Sequence, residues 1–171
     1  MKMMRTAMAA IACMALANPA LAAGSCATET EAMALRTAAV QQQLMVAAFM
    51  CQGKEDYNRF VQTYGRELRS SDAVLKSYFV RLSGRGGEVA YDAYKTRAAN
   101  LSALEQARND RAFCTLAGQL FAAALRSQAP LAAFVAAAPS APGFTEVCID
   151  RLRDNRNRVH MADAAQDPAG R

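Results

Sequence analysis

Tryptophan is absent from the 171 residues and histidine occurs once, as His160 between Val159 and Met161. A serine or cysteine nucleophile needs a general base within hydrogen-bond reach, and a lone imidazole close to the C-terminus is poorly placed to serve one. Hydrolysis through a histidine base is therefore disfavoured. Cysteines number five, none in a C-x-x-C pair, and with one histidine to assist them they make no zinc pattern. Nine glycines and five prolines are too few for a collagen-like or low-complexity chain. No segment alternates with period two for long enough to specify a strand, and no repeat unit of about 20–50 residues is present. The glycine cluster Gly84-Arg85-Gly86-Gly87 lacks the spacing of a P-loop or a dinucleotide fingerprint and reads as a turn between helices. Ser71 and Lys76 do not have the S-x-x-K spacing of a serine–lysine dyad.

What is present is apolar bulk. The apolar set makes up 53% of the chain and charged residues 20%, with alanine the commonest residue. A domain of this size buries about 68–70% of its unfolded surface, enough for one core without a cofactor. At the N-terminus, Lys2 and Arg5 precede a charge-free apolar stretch over Thr6–Leu16, then Pro19 and Ala20-Leu21-Ala22. That order of basic start, short greasy middle and A-x-A ending is a secretory signal, which predicts cleavage after Ala22 and a periplasmic or secreted product. Acylation of Cys26 after Ala23-Gly24-Ser25 is the alternative export route. It lacks a large aliphatic residue three places upstream and would leave an odd cysteine. Loss of Lys2 and Arg5 lowers the formal net charge from +5 to +3, dispersed along the chain, which is no nucleic-acid footprint.

Four cysteines remain after cleavage, an even set for an oxidising compartment, so two disulfides are expected. If residues 28–51 form one helix, Cys26 and Cys51 lie about 35 Å apart and cannot pair. Two pairings remain open, Cys51 with Cys114 and Cys26 with Cys148, or the crossed set. The first is preferred because it sets the helix carrying Cys114 antiparallel to the first helix.

Helical signals dominate the rest. Thr28 and Glu31 form a capping box, followed by a stripe of Met33, Thr37, Val40, Leu44, Ala47 and Cys51, with Gln41, Gln42 and Gln43 on the wetter side. Tyr57, Phe60, Val61, Tyr64 and Leu68 stripe a second helix; Ser70, Ser71 and Asp72 offer caps for a third bearing Val74, Leu75, Tyr78, Phe79 and Leu82. A fourth begins at Glu88 and breaks or continues near Asn100 and Ser102, and a fifth, capped by Asp110, carries Phe113, Leu116, Leu120 and Phe121. Pro130 opens a short segment that Pro139 ends. The expectation is an all-α single bundle of about five helices over residues 23–150, stapled by two disulfides, with a mobile tail over 151–171.

For function, the composition favours an exported, non-catalytic helical protein that acts by binding or by envelope structure, its partner an envelope protein or a cell-wall component. No metal, cofactor, nucleic acid or membrane span after cleavage is expected. Tyrosine and arginine concentrate in the central span, and Arg85, Tyr91, Lys95 and Arg97 are the candidate contact surface, with Tyr91 singled out for standing one residue off the apolar stripe. One alternative is a small cell-wall glycan hydrolase using a carboxylate pair from Glu55, Asp56, Glu67, Glu88 and Asp92. Another is a carrier of an apolar ligand between the helices.

Overall fold

The computed structural model describes residues 26–126 and 129–142, and these are mostly helical with no strand among them. Helix α1 spans Glu29–Met50, opened by the expected capping box: Glu31 N–H donates to Thr28 Oγ1 at 3.1 Å and Thr28 N–H to Glu31 Oε2 at 2.8 Å. Buried residues ring almost its whole circumference, from Ala34 and Leu35 through Thr37, Val40 and Leu44 to Ala48. A helix covered on all sides is a core helix rather than a surface one, and every other helix packs against α1. Gln42 and Gln43, expected on the wet side, are buried, and Gln41 is half-buried. The stripe logic fails there because a central helix has no wet side. Cys51 caps the helix, and Gln52 takes a left-handed φ of 60° before Gly53.

Helix α2 runs over Lys54–Ser83, 30 residues without interruption, where two helices were expected. Its buried positions Phe60, Tyr64, Leu68, Leu75 and Tyr78 keep one phase across Ser70-Ser71-Asp72. No glycine or proline stands at that point to break the helix, and the Asp72 carboxylate turns to neighbouring side chains instead of capping. A 3₁₀ turn at Gly84–Gly86 reverses the chain. Gly84 has φ 53°, ψ −122°, a region closed to L side chains. Helix α3, Gly87–Arg108, then returns antiparallel along α2 without breaking at Asn100, since the buried Ser102 hydroxyl donates to Ala98 O within the helix at 2.9 Å.

Helix α4 spans Asp110–Arg126 and is capped by Asn109, one residue before the expected Asp110: Ala112 N–H donates to Asn109 Oδ1 at 3.1 Å. A seven-residue helix α5, Leu131–Ala137, follows Pro130. Phe60, Tyr64, Phe113, Phe121 and Phe134 join Val40 and Leu44 in the larger core between α1, α2, α4 and α5. A smaller one gathers Leu35, Ala38, Leu75, Tyr78 and Tyr91 between α1, α2 and α3. Burial of these aromatic groups contributes roughly 1.5–3 kcal/mol each before entropy is counted.

Cys51 and Cys114 form a disulfide with their Cα atoms 5.4 Å apart, fixing α4 to the C-terminal end of α1 as the preferred pairing required. The expected partner of Cys26, Cys148, lies outside the described residues, as do the signal sequence, His160 and the tail over 151–171. No helix of the described residues is long and apolar enough to cross a membrane.

Candidate functional site

The four residues proposed from sequence do not form one surface. Arg85 sits exposed in the 3₁₀ turn, and Arg97 is exposed on the outer face of α3 beside Asp92, Ala93 and Thr96. Arg97 is two residues beyond Lys95, about 200° round the helix, so the two cannot face one partner. Tyr91 and Lys95, one turn apart, both point to α2. Tyr91 is only 7% exposed, so the residue singled out as an interface is instead a core residue at the α2–α3 seam.

That seam holds a closed triangle of polar groups. Tyr91 donates its hydroxyl hydrogen to Asp72 Oδ1 at 2.6 Å, while Lys95 Nζ donates to the same oxygen at 3.1 Å and to Tyr91 Oη at 2.9 Å. Lys95 and Lys76 place their ammonium groups 5.0 and 5.1 Å from the Tyr91 ring centroid, so the ring also receives cation–π contacts. Partial burial pushes the Asp72 carboxyl up, but the hydrogen bonds from Tyr91 and Lys95 and the nearby lysine charges outweigh it and hold the group below its ordinary value. Burial, joined by the bond to Asp72, raises the Tyr91 phenol. Lys95 is lowered by burial and raised more by Tyr91 and Asp72, with a net rise. The ionised arrangement is therefore the stable one at neutral pH.

Beside this triangle lies a cleft of about 300 Å³ between α1, α2 and α3, lined by Gln41, Val61, Gly65, Leu68, Arg69, Asp72 and Lys95. Asp72 is already engaged by Tyr91 and Lys95. Arg69 makes no hydrogen bond or ion pair with any described residue. A Cβ at Gly65 would make only an ordinary van der Waals contact with Arg69, 3.5 Å from its Nη1. The cleft thus presents the Lys95 ammonium balanced by the Asp72 carboxylate, with the Arg69 guanidinium as its surplus charge beside the Gln41 side chain, a set suited to a single carboxylate or phosphate group. Sequence reasoning missed Asp72, Arg69 and Gln41 as members of one site. The signal was present for Asp72, since it and Lys95 stand almost equally far from the Gly84 turn and meet once the two helices fold back.

The acidic candidates have other work. Glu67 Oε1 accepts the Leu131 N–H at 2.9 Å, capping α5. Asp56 pairs with Arg59 one turn on, and Glu55, Glu88 and Asp92 are exposed. Glu67 also borders a groove of about 590 Å³ between α1, α2 and α5, with Met33, Ala34, Val74 and Leu131 as its apolar lining. Comparison with protein-family models, with curated proteins and with solved structures finds no match for this chain.

Proposed function

We propose that the chain is an exported protein that acts by binding, and that its ligand is an anionic group of an envelope component held between Arg69, Lys95 and Gln41. The observation that carries this is the cleft in which Arg69, paired with no acid among the described residues, stands with Lys95. A charged guanidinium lining a concave polar site can pair with a carboxylate or phosphate, and charge-assisted bonds of that kind are about twice as strong as neutral ones. The Cys51–Cys114 disulfide is compatible with an oxidising compartment, which supports the export part of the proposal together with the N-terminal pattern.

Titration with inorganic phosphate and with acetate, followed by amide chemical shifts, tests the ligand chemistry. Shifts concentrated at Gly65, Arg69 and Lys95 that vanish in Arg69→Ala support it; because Arg69 is exposed, the variant should keep its stability within about 0.5 kcal/mol. Indifference of the Arg69→Ala spectrum to either anion, matched by the same indifference in the parent, removes the proposal. Export is tested separately by intact mass from the periplasmic fraction, where a chain beginning at Ala23 with oxidised cysteines is expected.

The apolar-carrier alternative finds its support in the α1–α2–α5 groove, lined by Met33, Val74 and Leu131. Native mass spectrometry of protein recovered from its own envelope would show an added mass under that alternative, abolished by Val74→Asp.

A further inference from the structure

Gln43 is 97% enclosed, at 3% exposure, yet its side chain makes no hydrogen bond to a described residue. Among the described residues Arg36 Nε is the one fully enclosed side-chain nitrogen or oxygen without a partner. The Gln43 amide must therefore keep an opening, and a pocket of about 470 Å³ between α1, the α3–α4 junction and the segment after α5 supplies it. That volume falls within the roughly 300–1,000 Å³ of small-ligand sites. Phe113 and Leu116 give the pocket an apolar wall, and Glu105, Asn109 and Ser140 give it a polar one. Asn109 Oδ1 is committed to capping α4, which leaves its amide hydrogens to donate. Open only to the pocket, the amide is left with a donor and an acceptor for whatever occupies it, and a ligand amide satisfies both.

We infer that this pocket binds an acetamido sugar. A secondary amide offers one carbonyl and one N–H, the counterpart of the Gln43 donor and acceptor. Its methyl fits the apolar wall formed by Phe113 and Leu116. The remaining ring presents hydroxyls, which pair with the Glu105 oxygen not taken by Arg108, the amide of Asn109 and the hydroxyl of Ser140. The site is separate from the anion cleft, because Gln41 and Gln43 are about 200° apart round α1. It stands whether or not that cleft binds anything.

The probe is N-acetylglucosamine, with glucose as the control that lacks the acetamido group and N-acetylalanine methylamide as the control that lacks the sugar. N-acetylglucosamine should shift the Gln43 side-chain amide and the Ala112 and Leu116 methyl signals, with glucose at least about tenfold weaker, the worth of one well-made hydrogen bond of about 1.4 kcal/mol. Gln43→Leu should abolish the response, and so should Ala112→Trp, which plugs the pocket from an exposed position and leaves the core untouched. Equal binding of glucose, or retention of the response in Ala112→Trp, overturns the inference. Binding of the peptide control alone overturns the sugar assignment, and silence from all three probes overturns the site.

Discussion

Asp72 Oδ1 accepts from Tyr91 and Lys95 together, so one oxygen fastens α3 to α2. Asp72→Asn should cost about 1–3 kcal/mol, because it weakens charge-assisted bonds at a seam where Tyr91 has little water to turn to. The pH dependence follows from the direction of the shifts. Asp72 and Glu31 are both held below their ordinary values, Glu31 because Arg81, which grips both its oxygens, and the Thr28 bonds outweigh partial burial. The stability they lend is present above the unfolded carboxyl value, about 4, and is lost as pH falls through the folded one. Tyr91 and Lys95 are raised, so their contribution is present below about pH 10 and is lost as pH rises through their folded values. Urea midpoints measured from pH 7 down to pH 3 should fall less steeply in Asp72→Asn than in the parent; parallel curves would show that the carboxylate carries no linkage. None of this could be read from Tyr91 alone. Its offset from the apolar stripe suggests exposure, yet a tyrosine at a helix seam can bury its ring and spend its hydroxyl on a carboxylate.

The helices themselves were more legible than their breaks. The Thr28–Glu31 box, the stripe of α4 and the stop at Gly84 follow from local chemistry that acts within one or two turns, and each stands where the sequence indicates. Ser70-Ser71-Asp72 has the chemistry of a helix start, but the phase of the stripe runs unbroken from Phe60 to Tyr78 and outweighs it. Burial all round α1 was hidden for another reason: which helix becomes central depends on how four others pack around it. The α2–α3 turn makes a sharp prediction. A Cβ on Gly87 would lie 2.5 Å from Val80 Cα and 2.7 Å from Val80 N, so Gly87→Ala must push α3 away from the α2 backbone and should cost about 1–3 kcal/mol. Gly118, exposed inside α4 with nothing within 4 Å of its would-be Cβ, should instead gain about 0.5–1 kcal/mol on replacement by alanine. Guanidinium denaturation of the two variants should give midpoints on opposite sides of the parent, and a matching loss in both would remove the packing explanation for Gly87.

Across the whole molecule, α1 is the shared wall of two cores, and the disulfide ties its C-terminal end to the start of α4. Cys51 and Cys114 are 63 residues apart in sequence, and the whole α2–α3 hairpin lies between them. Closing a loop of that length removes entropy chiefly from the unfolded chain, worth about 4 kcal/mol in the loop-closure treatment. Local stripes cannot reveal this contribution, but cysteine parity with the antiparallel return of α4 did indicate the pair. Replacing both residues, Cys51→Ala with Cys114→Ala, should therefore lower the unfolding free energy by about 2–4 kcal/mol while leaving the helical circular dichroism of the folded protein unchanged. The denaturant slope should rise at the same time, since an uncrosslinked unfolded chain exposes more surface. That second readout separates the two physical origins: a lower midpoint with an unchanged slope would place the loss in native packing around Phe121 and Leu44, and an unchanged midpoint would mean that α1 and α4 hold together without the bond.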